Sequence, residues 1–238
     1  YYKFYGLNLT IETLEGLFKH NGPIHNLRKY KKILRNDIFK SEIIFNNSPS
    51  LESQVSSISD DIAYNNHDLE DGLRAGLFTI KKINEIPFIS NLIKKHIKKI
   101  KNYRKEIVIS QIVRDLINLM VVDVIETSSK RILKYKPKSI KDIYKQTSTI
   151  VDFSENMKNT DAQIKDFLKR NMYNHKSVII NTNKGKIIIK NLFKSLLKNP
   201  KKYISRDSFN KKMKERVVAD FIAGMTDRYA INLHKKIK

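Results

Sequence analysis

Apolar residues recur at helical spacing along most of the chain, and with seven glycines and five prolines there is little to interrupt them. Ile11, Leu14, Leu17 and Phe18 form a short amphipathic stripe that Thr10 can cap and that Asn21-Gly22-Pro23 stops. Leu27 to Lys40 is a basic stretch to which the pattern assigns no element, and Asn46 to Ser50 is a polar loop. Ser50 is placed to cap a helix from Leu51 to about Ala75, with Val55, Ile58, Ile62, Leu69 and Leu73 as its apolar positions and Gly76 as its break. Thr79 to Ile86 and Ile89 to Ile100 read as two shorter helices divided near Pro87. A long helix carries Ile107, Ile109, Ile112, Ile117 and Ile125 to about Tyr135, where Pro137 ends it, and Ser139 to Ile143 reads as one turn. Asp161 to Asn174 is predicted helical with Ile164, Phe167, Leu168 and Met172 inward. Lys176 to Lys198 continues as helix, although Ile187-Ile188-Ile189 also suits a strand, and Arg216 to Lys236 reads as one final helix with Gly224 inside it. No repeat and no low-complexity linker is visible. The expectation is an all-α chain with at most one minor strand pair.

Within this pattern the block Ser57 to Gly72 stands apart. It sets Asp60, Tyr64 and Asp68 four residues apart, so that they share one side of a helix and drift by about 40° per step. A carboxylate, an aromatic ring and a second carboxylate suit a core-facing stripe poorly and a wall of a metal–nucleotide site well. Asp60 and Asp61 point about 100° apart, so no more than one of them faces a shared pocket. A solvated acidic face is the competing reading. Ile58, Ile62 and Ala63 crowd the pair with apolar groups, which predicts a partly buried Asp60 with a metal or lysine partner, because an unpaired buried carboxylate is costly.

Other polar clusters carry less. His67-Asp68 has the look of a metal dipeptide, but the remaining histidines (His20, His25, His96, His175, His234) have no paired ligand spacing, so no complete cage is visible. Tyr173-Asn174-His175-Lys176 is either a helix end with an amphipathic tyrosine or a ring stacked on a base or sugar, with Lys176 or Lys165 near phosphate. Arg216 to Tyr229 reads as a packing helix with a glycine contact point.

Composition narrows the classes. The 238 residues suffice for one large domain or two small ones. Cysteine is absent, which excludes disulfides and thiolate metal sites, and no apolar run reaches the roughly 18 residues of a membrane span. The chain opens at Tyr1 without a methionine or a signal-like segment, so its start is expected to be a cut, and a soluble, cytoplasmic protein is expected. Lysine and arginine number 47 against 24 acids, a formal +23. Such charge attracts phosphate-rich partners, nucleotides or nucleic acid. The dominance of Lys over Arg and the abundance of Ile and Asn point instead to base composition as its main cause, since phosphate clamps favour the bidentate guanidinium.

Four segments then give the chain a resemblance. Gly6 to Thr10 with Leu14 to His20, the Asp60 to Gly72 block, Phe167 to His175, and Val217 to Ala230 resemble, in order, the bacterial deoxyguanosinetriphosphate triphosphohydrolases of the HD superfamily of metal phosphohydrolases. The resemblance implies an all-helical, multi-helix HD-superfamily hydrolase domain. It implies hydrolysis of a deoxynucleoside triphosphate to the deoxynucleoside and tripolyphosphate with a divalent metal, Mg²⁺ or Mn²⁺. By that resemblance Asp60 matches the last metal ligand, Tyr64 and Asp68 match the positions that pack on the sugar and bond its 3′-hydroxyl, Tyr173 matches a second sugar- or base-contacting tyrosine, and Lys19 matches a phosphate-binding lysine. The family's metal-binding His and His-Asp helices should precede Tyr1. Residues 1–238 are thus expected to be the C-terminal part of one helical domain, with 1–75 as substrate and metal wall and 76–238 as a helical C-terminal region. On its own this part is expected to be inactive. Asn174 stands where the family often has arginine. Relatives of the family form homo-oligomers that respond to nucleotides or single-stranded DNA, so both are expected as partners of the full-length protein. The competing function is a basic helical nucleic-acid-binding module, or a degenerate remnant, without catalysis.

Overall fold

A computed structural model describes residues 7–26, 45–102, 104–204 and 214–237. Gly6 and the basic stretch Leu27 to Lys40 therefore lie outside the described residues. The described chain is helical, with no strand among the described residues, so Ile187 to Ile189 are helix. The chain divides into two compact units, Tyr1–Asn171 and Met172–Lys238.

In the first unit, α1 (Ile11–Phe18) starts where the Thr10 hydroxyl accepts from the Thr13 amide, and α2 (Leu51–Arg74) where Ser50 accepts from Ser53. These side chains satisfy amides that the first helical turn leaves without partners. α3 (Ile80–Ile83) and α4 (Pro87–Asn102) are separated at Pro87, which opens α4 where its missing N–H costs nothing. α5 (Lys105–Tyr135) ends in a left-handed Lys136, φ +46°, followed by Pro137. α6 (Ile140–Tyr144) is closed by a reciprocal Ser139–Asp142 capping box. α7 (Glu155–Leu168) begins six residues before the position the apolar pattern indicated, because Ser154 both caps Met157 and binds Asp123 of α5 through its amide and hydroxyl. Lys169–Tyr173 then form a single π-helical turn.

The core of this unit is built where α2 packs on α5 and α7. Ile58, Ile62, Leu69 and Leu73 of α2 meet Ile109, Ile112, Leu116 and Met120 of α5 and Ile164, Phe167 and Leu168 of α7, all buried. Val55, expected on the apolar face of α2, is exposed. Gly72 is required by contact: a Cβ there would lie 2.3 Å from the Phe78 ring, which itself meets Phe167 edge-on at 4.9 Å.

The second unit is α8 (Lys176–Lys198), α9 (Lys214–Ala223) and α10 (Asp227–Ile237), with α8 packing on both others. Its core is Leu192, Leu196, Ile204, Val218, Ile222, Ala230 and Leu233. The single final helix expected from the sequence is two helices. α9 stops at Gly224, and the Thr226 hydroxyl accepts from the Tyr229 amide to start α10.

Candidate functional site

The site grows from α2. Its core stripe holds the helix against α5 and α7, and this leaves Asp60 and Tyr64 outward, with Asp68 half-buried beside them. Tyr64 is 67% exposed, the most open of the tyrosines among the exposed large residues. Asp60 is more open than expected, with 55% of its side chain exposed, because Ile58 and Ile62 point away from it into the core instead of crowding it. Its protein partner is His20 and not a lysine: at the end of α1, His20 donates from Nε2 to Asp60 Oδ2 at 3.0 Å. The lysine belongs to Asp61, whose Oδ2 lies 3.1 Å from Lys165 Nζ.

Lys19, which the resemblance matches to a phosphate-binding lysine, sits beside this wall at the end of α1. Its side chain is wholly buried, with Nζ 2.5 Å from Glu15 Oε1 and 5.2 Å from the centre of the Tyr144 ring. Tyr144 in turn donates to Glu15 Oε2 at 2.6 Å, and burial together with that bond drives its phenol pKa far above the usual value. The triad ties α1 to α6. An ammonium enclosed this way is paired with its own carboxylate, and its consequence for the site is to fix the turn that carries His20.

On the next face of α2, a cavity of about 200 Å³ is lined by His20, Gln54, Asp61, Asp152, Lys158 and Asp161 among others. Gln54 builds its floor, accepting from the amides of Ile150 and Val151 and donating to the Pro49 carbonyl. Burial raises the Asp152 pKa, but bonds from Lys158, Thr149 and Arg131 outweigh it and leave it below the usual carboxylate value. Burial likewise opposes the Lys165 charge, and hydrogen bonds to Asp161 and Asp61 outweigh it and raise that pKa. The carboxylates are thus matched by lysines and arginine.

Tyr173, the last residue of the π-helical turn, belongs to the second unit and is 46% exposed. His175 caps α8 by accepting from the Ser177 amide, which gives the Tyr173-Asn174-His175-Lys176 cluster a structural task in addition to any contact made by the ring. Among the described residues no group of three or more His, Asp or Glu side chains could hold a metal ion. Asp60 with His20 offers two donors, short of a closed set, so the described residues do not by themselves fit a divalent ion.

Comparison with known proteins decides the kinship. The phosphohydrolase-associated domain matches residues 151–236. A deoxyguanosinetriphosphate triphosphohydrolase-like protein of Pelagibacter ubique is 48% identical over all of this chain and 64% of its own length. Proteins of the same name from Brucella anthropi and Bartonella henselae are 35% and 37% identical over all of the chain and 62% of their lengths. Over its whole length the chain is homologous to deoxyguanosinetriphosphate triphosphohydrolase-like proteins. It spans less than two thirds of those relatives. The kinship supports a phosphohydrolase family, and α7, α8, α9 and all of α10 but Ile237 fall within the matched associated domain.

Of the residues singled out in the sequence, the structure brings Asp60, Tyr64 and Asp68 together on one helix. It adds His20, which stands in a motif but carried no role, and Asp161, whose pairing with Asn65 spans 96 residues and leaves no periodic trace; Lys165, named from the sequence as a lysine near phosphate, bonds Asp61 across 104 residues. No helix of the described residues is long and apolar enough to cross a membrane.

Proposed function

We propose that the chain is part of a metal-dependent deoxynucleoside triphosphohydrolase that splits dGTP with water into deoxyguanosine and tripolyphosphate. The observation that carries this reading is the shared Asp60–Tyr64–Asp68 side of α2, with Asp60 and Tyr64 exposed and Asp68 half-buried, in a chain whose relatives are named for that reaction. In this reading Asp60 is one ligand of a Mg²⁺ or Mn²⁺ ion whose other ligands lie outside the described residues. A bound ion would activate water and neutralise phosphate charge. Tyr64 packs on the deoxyribose, Asp68 accepts from its 3′-hydroxyl, and Tyr173 contacts sugar or base. Residues 1–238 then form the C-terminal part of one catalytic domain, which in full length is a cytoplasmic homo-oligomer. The alternative, a non-catalytic basic module for single-stranded nucleic acid, rests on charge alone.

The test is release of tripolyphosphate from dGTP with Mn²⁺. The chain alone should release none. Joined to the portion of the Pelagibacter ubique relative that it does not cover, it should be active, and Asp60→Ala should cut that activity by more than about 100-fold. Release by the isolated chain would refute the need for further ligands. An inactive joined protein, or one indifferent to Asp60→Ala, would overturn the reading.

A further inference from the structure

The stripe Asp61, Asn65, Leu69 repeats the spacing of Asp60, Tyr64, Asp68 one residue later, about 100° around α2. Every member of the shifted stripe is engaged. Asp61 Oδ2 meets Lys165 Nζ at 3.1 Å, Asn65 Nδ2 donates to Asp161 Oδ1 at 2.7 Å, and Leu69 is in the core at 2% exposure. Lys165 Nζ also reaches Asp161 Oδ2 at 2.9 Å, so the two α7 residues form one clamp with a polar side chain of α2 at each end. Asn65 and Asp161 are both buried, which makes their bond directional and hard to replace by water.

We propose that Asp161 and Lys165 are positioning residues for the wall: by gripping the Asp61–Asn65 stripe they set the rotation of α2 about its axis, and with it the aim of Tyr64 and Asp68 at the sugar. Apolar burial is non-directional, whereas a buried hydrogen bond and an ion pair between fixed positions lose strength when the helix turns and so add a directional restraint to the packing. Side-chain tips stand about 6 Å from the axis, so a turn of about 10° displaces the Asp68 carboxylate by about 1 Å, enough to break a hydrogen bond to a 3′-hydroxyl. The inference rests on the proposed nucleotide reading and adds to it a task for α7, the first helix of the matched associated domain.

The experiment is ligand-observed NMR, without added metal, on the chain joined as above to the uncovered portion of the Pelagibacter ubique relative, with dGTP and with 2′,3′-dideoxyguanosine triphosphate, which lacks the hydroxyl that Asp68 would hold. The joined wild type should favour dGTP by about tenfold, the scale of one hydrogen bond, and Asp68→Asn should erase that preference. Lys165→Met should erase it too while leaving helix content unchanged, and Lys165→Arg should restore it. Asp161→Asn, the same shape without the charge, provides a second reading should Lys165→Met fail to fold. If the α7 variants fold and keep the preference while Asp68→Asn loses it, the clamp is structural only and the proposal falls, with the nucleotide reading intact. If the wild type shows no preference, or Asp68→Asn keeps it, the nucleotide reading falls and the positioning role falls with it.

Discussion

Helix α2 and the second unit carry opposite charge for different reasons. α2 holds six carboxylates (Glu52, Asp60, Asp61, Asp68, Glu70, Asp71) against Arg74, a net −5 inside a chain of +23. The second unit holds 17 lysines and arginines against four acids, a net +13 in 67 residues. On α2 most of these charges have assigned geometry: Asp61 clamps α7, Glu70 binds Arg74 and Ser110, and Asp60 meets His20. In α8, Lys184, Lys186, Lys190, Lys194 and Lys198 are exposed and no acid lies among them. The comparison teaches that the overall charge of this protein is a poor guide to its chemistry. The excess lies where side chains are free to be lysine, and the candidate site lies on the helix that resists the trend.

The comparison can be tested through the interactions each unit depends on. The largest effects should come from the enclosed groups. Glu15→Ala leaves the Lys19 ammonium buried without its carboxylate and should cost about 3–5 kcal/mol, read as a fall in denaturant midpoint at unchanged m. Leu196→Ala, at a fully buried core position of the second unit, should cost about 2–5 kcal/mol by the same measurement. If Glu15→Ala behaved like a surface mutant, the closed triad would be wrong.

Glycine gives a sharper contrast of intermediate size. Gly72→Ala must displace the Phe78 ring and should cost about 1–3 kcal/mol. Gly185→Ala in α8, where an added Cβ meets nothing within 4 Å, should stabilise by about 0.5–1 kcal/mol. Thermal melts of the two variants should therefore move in opposite directions.

The acid limb separates the units further. Asp152 in the first unit has its pKa held below the unfolded value, so its contribution is present above about pH 4 and is lost as pH falls through the folded value. Lys158, raised chiefly by its bond to Asp152, contributes fully below its unfolded pKa, about 10.4, and loses that contribution as pH rises beyond it. Asp152→Asn should flatten stability at both limits, as measured by midpoints across pH. The smallest effect belongs to Arg216→Ala in the second unit, whose exposed pair with Asp220 at 2.8 Å should be worth less than about 0.5 kcal/mol.

Helix starts and stops follow from local chemistry, and for that reason the sequence was enough to place Thr10 and Ser50 as caps, Pro87 and Pro137 as breaks, and Asp60, Tyr64 and Asp68 on one side of one helix. Those features depend on residues within about four positions of each other, the range over which helical geometry fixes neighbours. What the sequence could not supply was which polar groups would meet across the fold. Lys19 pairs with Glu15, which Tyr144 also reaches across 129 residues. Ser154 starts α7 early because Asp123 of α5 reaches it, and Asp60 finds His20 across forty residues. Such pairs form only when packing brings helices side by side, and the free energy that selects them is the cost of leaving a buried polar group unpaired, a quantity that does not exist until the core has closed.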